Sequence, residues 1–159
     1  MIEYSLHESH FNTQGRYARL ETMNTTDCLF CKIVAGEIPA TKIYEDEFTL
    51  AFLDIVPVNP GHTLVIPKKH YENIFAAPEE TLVQMMKTIK KVAHGIKDGL
   101  HIDDMNIGMN NGTHSGQTVY HAHIHLMPRK QGDGYGLWHG KKYPDGEAAK
   151  IAEQIKGAL

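Results

Sequence analysis

The stretch YHAHIHLMPR, residues 120–129, places a histidine at every second position. A β-strand turns alternate side chains to one face, whereas a helix would scatter the three histidines around its circumference. The alternation therefore predicts a strand with His121, His123 and His125 on one face. The intervening apolar residues fall on the opposite face as a core-packing stripe: Ala122, Ile124 and Leu126.

The spacing of the histidines limits what they can bind together. At a rise of about 3.3 Å per residue, neighbouring histidines lie roughly 6.6 Å apart and the outer two roughly 13 Å apart. Zinc holds nitrogen ligands at about 2.0–2.1 Å, so two ligand atoms on one ion are only a few ångströms apart. Neighbours can share a metal, but all three cannot do so without a bend, and we expect them to have different roles. Three solvated histidines on a polar strand face are the alternative.

The composition predicts one globular domain, because the chain has 159 residues, 42% hydrophobic and 22% charged. A net charge of −3 gives no electrostatic reason to expect a nucleic-acid partner. No apolar run approaches the ~20 residues of a membrane span, and the N-terminus lacks the apolar stretch of a secretory signal. We therefore expect a cytoplasmic protein with no membrane partner. Residues 1–26 are polar and aperiodic and predict a loose arm, with Met23 as an alternative start.

The remaining pattern predicts an α+β domain over residues 27–159, with a C-terminal tail from about residue 130. A short helix is expected over 28–34, capped by Thr26 or Asp27 and ended by Gly36. Strand-like runs flank a turn at residues 45–47, and a buried strand covers residues 63–66. Residues 105–128 predict strand, loop and strand, and a final helix begins near Glu147. Hairpin-like strand order favours an antiparallel sheet.

The longest helix is predicted to begin at Pro78 and to end at Gly99. Apolar residues then recur at three- and four-residue steps, the spacing of one buried helix face. The predicted stripe is Leu82, Met86, Ile89, Val92, Ala93, Ile96 and Leu100.

The loop NNGTHSGQT, which precedes the histidine row, has the composition of an anion-binding loop. Gly112 and Gly116 allow close backbone approach, so amide N–H groups can point at a phosphate. Further side chains offer hydrogen bonds: Asn110, Ser115, Gln117 and Thr118. A histidine beside a bound phosphate is suited to nucleophilic catalysis, because neutral imidazole is a good nucleophile near pH 7. An ordinary hairpin turn explains the loop equally well.

Cys28 and Cys31 form a C-x-x-C motif. A zinc site needs two further ligands, for which His62, His70 and His121 are candidates. A redox pair or two unliganded thiols are the alternatives, although no βαβ unit surrounds the motif, which weakens the redox reading.

Asp54 lies inside an apolar run, AFLDIVPV. A partly buried carboxylate there can accept hydrogen bonds from both hydroxyls of a ribose, or it can serve as a turn or cap residue. Four apolar residues are candidates for the walls of a base pocket, although core packing is the more common use of such residues: Ile38, Phe52, Ile55 and Leu64.

The segment HAHIHLM resembles the histidine triad pattern His-φ-His-φ-His-φ-φ, where φ is apolar. From about Cys28 to Arg129 the chain is similar to the histidine triad nucleotide-binding branch of that family. The resemblance implies an α+β fold with a five-stranded antiparallel sheet, one long helix and one or two short helices. It also implies a homodimer that binds a purine nucleotide and hydrolyses or transfers at its α-phosphate.

The resemblance also implies a role for each matching residue. His123 is the nucleophile, His125 contacts phosphate, and His62 lies near the leaving group. Asp54 binds ribose, while the phosphate site uses Asn110, Gly116 and Thr118. A structural zinc is implied at Cys28, Cys31, His70 and His121. The tail after Arg129 is more similar to bacterial members of the family.

These observations together predict a nucleoside phosphoramidate hydrolase that forms a covalent nucleotidyl-histidine intermediate. A dinucleoside polyphosphate hydrolase and a nucleotide-binding regulator with vestigial catalysis are the alternatives. A metal-dependent hydrolase is disfavoured by the spacing of the histidines along the strand.

Overall fold

A five-stranded antiparallel sheet organises residues 27–136 and 140–159, which are the residues that the computed structural model describes. The strands are β1 (Lys42–Glu45), β2 (Thr49–Leu53), β3 (Thr63–Pro67), β4 (Asp104–Gly108) and β5 (Ile124–Arg129). Across the sheet their order is β1-β2-β3-β5-β4, and every pair of neighbours is antiparallel. The predicted α+β class and sheet are confirmed. The predicted N-terminal arm, residues 1–26, lies outside the described residues.

Three α-helices accompany the sheet in these same residues: α1 (Leu29–Ala35), α2 (Glu79–Leu100) and α3 (Glu147–Lys156). Helix α1 ends at Gly36, whose φ of 77° is the left-handed conformation expected of a helix-ending glycine. Its N-cap is Cys28, with no side-chain cap, so Asp27 does not cap the helix as predicted. Among the helices of the described residues, none combines the length and the apolar character that crossing a membrane requires.

Helix α2 differs from its prediction at both ends and along one edge of its buried face. Pro78 is the N-cap rather than the first helical residue, and the chain leaves the helix at His101, two residues beyond the predicted stop. His101 adopts φ 56° and its N–H donates to the Lys97 carbonyl, so a histidine serves where glycine is usual. Met86 and Leu100 are about half exposed, whereas Met85 is fully buried. Thr88 is buried because its hydroxyl is satisfied by the hydroxyl of Thr49 at 2.7 Å.

The sheet buries both faces. On one face α2 packs against the alternate residues of the central strands, including Ala51, Val65 and the predicted stripe residues Ile124 and Leu126. On the other face α1 packs against Leu50, Phe52, Leu64 and Ile66 through Phe30 and Ile33. The histidine row faces the α1 side, since His125 pairs with Leu64 in the antiparallel register.

Strand β5 begins at Ile124, later than the predicted strand, so only His125 of the three histidines lies within it. The residues before Ile124 approach the end of β3, where Pro67 has no N–H to donate to a ladder. The Pro67 carbonyl instead accepts a hydrogen bond from His121 Nε2 at 2.9 Å, and the Ala122 N–H donates to the Tyr71 carbonyl. His121 and His123 are therefore held by side-chain and loop hydrogen bonds rather than by strand pairing.

Candidate active site

His123 is buried beside His125, with the two ring centroids 5.0 Å apart. Its Nδ1 lies 2.6 Å from the His121 carbonyl oxygen. A carbonyl can only accept, so Nδ1 carries the proton and Nε2 keeps a free lone pair. The edge of the Phe30 ring packs on the imidazole at 5.2 Å between centroids. The geometry gives His123 the properties of a nucleophile: one nitrogen is fixed as a donor and the other is unprotonated.

Burial also keeps the His123 ring neutral. Desolvation lowers the pKa of His123 below its usual value, and the hydrogen bond to the His121 carbonyl and the Asp54 carboxylate offset this only in part. Because the neutral form is the one that can attack phosphorus, the pocket has the electrostatics that nucleophilic catalysis needs.

His62 and His125 form a hydrogen-bonded pair, with His62 Nε2 2.9 Å from His125 Nδ1. The direction of this bond follows from the backbone. The Val58 N–H donates to His62 Nδ1 at 3.1 Å, so that nitrogen is unprotonated and the proton of neutral His62 lies on Nε2. His62 therefore donates to His125 Nδ1, and the proton of neutral His125 lies on Nε2. The Val58 amide thus sets the tautomer of His62 directly and that of His125 through His62.

Both members of this pair are held neutral by their surroundings. Burial lowers the pKa of His62, and the Asp54 carboxylate partly offsets the effect. Burial, together with the nearby His123 and His62, lowers the pKa of His125 to about 4. A neutral His125 with its proton on Nε2 can donate to a phosphate oxygen next to His123.

Asp54 follows β2 at the edge of the histidine cluster, and its Oδ2 lies 3.7 Å from His62 Nε2. Its Oδ1 accepts from the Val56 N–H at 2.8 Å, which is the turn role considered for it. The carboxylate is partly exposed. It therefore stabilises the turn with one oxygen and leaves the other facing the site, so both interpretations of Asp54 fit the geometry.

The four apolar residues predicted to form the walls of a base pocket differ in their exposure. Phe52 and Leu64 are 4% and 6% exposed and pack in the core beneath α1, where the edge of Phe30 covers Phe52. Both belong to the core cluster beneath α1. Ile38 is partly buried at the margin of the same cluster, and Ile55 is exposed on the loop after β2. A base pocket walled by these four residues stays a prediction.

The loop before the histidines contains a short 3-10 turn, Thr113–Ser115, between Gly112 and Gly116, both at positive φ. Gln117 is buried and its amide is used inside the protein: Oε1 accepts from the Gly112 N–H, and Nε2 donates to the Glu72 and Val119 carbonyls. In this conformation the side-chain groups of Gln117 are paired within the protein, and its contact with phosphate stays a prediction. Asn110 Nδ2 lies 3.4 Å from the Gly116 carbonyl, and Thr118 is exposed.

The four residues predicted to hold zinc lie together, with their ligand atoms all within 4.8 Å of one another. Cys28 Sγ and Cys31 Sγ are 3.4 Å and 3.6 Å from His121 Nδ1, and Cys31 Sγ is 3.4 Å from His70 Nδ1. Tetrahedral zinc, with Zn–S about 2.3 Å and Zn–N about 2.0–2.1 Å, separates sulfur from nitrogen by about 3.6 Å. His121 also donates from Nε2 to Pro67, the second hydrogen bond typical of a metal-bound histidine. The donor set and its spacing fit zinc.

A second group, Asp54, His62 and His125, also brings three possible ligand atoms within 4.8 Å of one another. The sequence did not suggest it. A metal-bound histidine keeps a proton on its other ring nitrogen, but His62 Nδ1 accepts from the Val58 N–H and has no proton to keep. The hydrogen bonds therefore favour a neutral histidine pair over a metal site here.

Several groups that shape the site gave no sequence signal. The Val58 N–H, the His121 carbonyl and the Pro67 carbonyl are backbone groups, and only the fold brings them to the rings. Phe30 is recognisable in the sequence as an apolar residue of a short helix, but its packing on His123 is not.

Comparison with known proteins matches residues 35–132 to the HIT domain model. The chain is 44% identical over 137 residues to a Bacillus subtilis protein called "Protein hit", covering 84% of this chain and 94% of that one. It is 40% identical over 107 residues to the Arabidopsis thaliana protein called "Adenylylsulfatase HINT3", covering 67% of this chain and 54% of that one.

Solved structures show the same architecture. A HIT family member from Bacillus subtilis matches with TM-score 0.78 at 42% identity, covering 84% of this chain and 97% of that one. A zinc-bound histidine triad family protein from Mycobacterium smegmatis matches with TM-score 0.67 at 39% identity, over 86% and 100%. A histidine triad nucleotide-binding protein from Candida albicans matches with TM-score 0.75 at 34% identity, over 83% and 96%.

Proposed function

Because the chain belongs to the HIT domain family, we propose that it is a purine nucleotide hydrolase that acts at the α-phosphate through a nucleotidyl-His123 intermediate. One observation carries the proposal. His123 Nδ1 donates to the His121 carbonyl at 2.6 Å, which leaves Nε2 as a buried, neutral nucleophile beside His125. The similarity to a histidine triad nucleotide-binding protein supports the nucleotide as substrate.

In the first step, His123 Nε2 attacks the α-phosphorus. A P–N bond forms as the bond to the leaving group breaks, and the leaving group departs with its electron pair and takes a proton from solvent. The positive charge on the His123 ring is stabilised by the His121 carbonyl, which already accepts its Nδ1 proton. His125 donates to a phosphate oxygen and stabilises the charge that develops there.

In the second step, water attacks phosphorus and the P–N bond breaks. One proton of the water passes to solvent, the nucleoside monophosphate leaves, and His123 is neutral again. Two moderate displacements replace one difficult one, which is the benefit of covalent catalysis.

The substrate we propose first is a nucleoside phosphoramidate, whose P–N bond releases an amine. The relative named adenylylsulfatase supports testing an adenylyl sulfate as well, because the same attack at phosphorus would release sulfate. A dinucleoside polyphosphate is the third candidate substrate to test. A nucleotide-binding regulator shares the binding residues, so turnover separates it from an enzyme.

The test is a substrate panel with the wild-type protein, His123→Asn and His101→Asn. His101 is exposed and already in the left-handed conformation that asparagine tolerates, which makes its substitution a matched control. We expect turnover of at least one substrate by the wild type and by His101→Asn, and a loss of several orders of magnitude in His123→Asn. Binding of a nucleotide without turnover of any substrate would favour the regulator instead.

We propose a structural zinc at Cys28, Cys31, His70 and His121, supported by the sulfur–nitrogen distances and by the zinc-bound relative. All four positions of a tetrahedral ion are filled by protein, so the metal would join the start of α1 to the histidine row and leave no position for substrate. Burial and the neighbouring Cys28 raise the pKa of Cys31 to about 11, so zinc would displace a proton when it binds. Cysteines without a disulfide suit a reducing compartment, in keeping with a cytoplasmic location.

We propose that the protein is a homodimer. Strand β4 lies at the edge of the sheet, and an apolar groove of about 420 Å³ runs between it and α2. Met86 and Ile107 on the two sides of this groove are about half exposed. Within the described part of the chain β4 is paired on one side only, and such an edge beside an apolar groove is a surface that a second copy can cover. Light scattering at micromolar concentration should give twice the mass of one chain, and a monomer there would contradict the assembly.

A further inference from the structure

The segment PRKQGDG, which begins in the last two residues of β5, contains an acidic residue that the proposed mechanism does not use. Asp133 is a carboxylate with only 4% of its side chain exposed. It accepts hydrogen bonds from Arg129 Nε at 2.7 Å and from Arg129 Nη2 at 2.9 Å, which together form a bidentate ion pair. The guanidinium lowers the pKa of Asp133, so the carboxylate is charged. The pair fixes the carboxylate next to the end of β5.

The same carboxylate holds a second segment of the chain. Asn59 Nδ2 donates to Asp133 Oδ2 at 2.9 Å and to the Pro128 carbonyl at 2.9 Å. Asn59 is 8% exposed, and its own carbonyl accepts from the His62 N–H at 3.0 Å. Asn59 therefore connects the loop that precedes His62 to the strand that carries His125.

The loop that Asn59 holds, residues 58–62, includes the backbone amide that sets the tautomers of His62 and His125. Val58, whose N–H donates to His62 Nδ1, is the residue before Asn59. Gly61, two residues after Asn59, has φ 90° and packs so closely that a Cβ there would lie 2.4 Å from Leu100 Cδ1. The loop is thus pressed against the end of α2 and tied to β5, and the position of the Val58 amide depends on both contacts.

Displacement of that amide would change the chemistry of two histidines. Without the Val58 donor, His62 is free to place its proton on Nδ1. Its Nε2 then has to accept from His125, which moves the His125 proton to Nδ1 and leaves a lone pair on Nε2. A lone pair there repels the phosphate oxygen that the proton would have bound.

From these contacts we propose that Asn59 and Asp133 are positioning residues, which hold the Val58 amide against His62 and so keep the proton of His125 on Nε2. The effect on turnover rests on the proposed function. The effect on the tautomers does not, because it follows from the hydrogen bonds alone.

The test uses ¹⁵N-labelled protein and two-bond ¹H–¹⁵N spectra, in which protonated and unprotonated ring nitrogens are resolved. The variants are Asn59→Ala and Asp133→Asn. The control is Thr88→Val, which removes a buried hydrogen bond of 2.7 Å on the opposite face of the sheet. Signals are assigned by their loss in His62→Gln and His125→Gln.

In the wild type and in Thr88→Val we expect both His62 and His125 to carry the proton on Nε2. In Asn59→Ala and Asp133→Asn we expect a mixture of tautomers at both rings, and kcat about 100-fold lower, the order expected of a misplacement near 1 Å, with KM little changed. Wild-type tautomers in both Asn59→Ala and Asp133→Asn would overturn the proposal, as would the same tautomer change in Thr88→Val. A tautomer change in Asn59→Ala and Asp133→Asn, in a protein that turns over no substrate, would support the positioning role of Asn59 and Asp133 and count against the proposed function.

Discussion

Replacing His70 with asparagine tests the structural zinc through stability. The proposed ion joins Cys28 to His121, which are 93 residues apart in sequence. Closing a loop of that length removes about 4–5 kcal/mol of chain entropy from the unfolded state in the cross-link model. His70 is only half-buried, so the loss of its packing contributes little beside the loss of the metal. We expect the free energy of unfolding to fall by about 3–4 kcal/mol, since part of the linkage survives in residual contacts.

For a domain of this size, that loss corresponds to a fall in melting temperature of about 10 °C. The assay is thermal unfolding followed by circular dichroism, with zinc content measured on the same samples by mass spectrometry. His101→Asn, the same substitution at an exposed site, should leave both values unchanged. Loss of zinc without a change in melting temperature would refute the loop-closure reasoning, and retention of one zinc per chain would refute the assigned ligands.

Further predictions concern the nucleotide site and its protonation. Asp54→Asn should weaken binding of a purine ribonucleotide by about 10-fold or more, because a charged hydrogen-bond acceptor is lost. Binding of the 2′,3′-dideoxy analogue should not change. Calorimetry on both ligands decides whether the carboxylate contacts ribose. Burial lowers the pKa of His62 and His123 below their usual values, so kcat/KM should be level from pH 7 to 8 and fall only below about 6.5; a rise through pH 7 would contradict neutral histidines. His125, with its pKa near 4, stays neutral where the unfolded chain takes up a proton. Its contribution to stability should therefore be full above about pH 6.5 and decline towards pH 4 by roughly 2–3 kcal/mol. Urea unfolding should show an acid-side loss that is smaller by about this amount in His125→Gln than in the wild type, while His62 and His123 still contribute in both.

The sequence was sufficient for the architecture because each element has a local cause. Alternation placed Ala122, Ile124 and Leu126 in the core, Gly36 ended α1, and the apolar steps located the long helix. The zinc ligands were assigned through the family resemblance, and their distances agree with it. The core stripe, the end of α1 and the long helix have in common that side-chain type alone predicts them.

Side-chain direction is harder to predict where one residue type is compatible with more than one environment. Phe52 and Leu64 are apolar in either a core or a pocket wall, and only the position of α1 makes them core. Gln117 is polar, yet it faces inward because its side-chain amide forms hydrogen bonds with three backbone groups. The tautomers of His62 and His125 depend on a backbone amide, and no side chain in the sequence encodes that contact.

The most direct test of the account is to trap the covalent intermediate. Wild-type protein is mixed with excess adenosine phosphoramidate, quenched during turnover, digested without acid and mapped by mass spectrometry. We expect an acid-labile adenylyl group on His123, its absence in His123→Asn, and slower formation at the same residue in His125→Asn. An adduct on another residue, or near-normal turnover by His123→Asn, would contradict the assignment of His123 as the nucleophile.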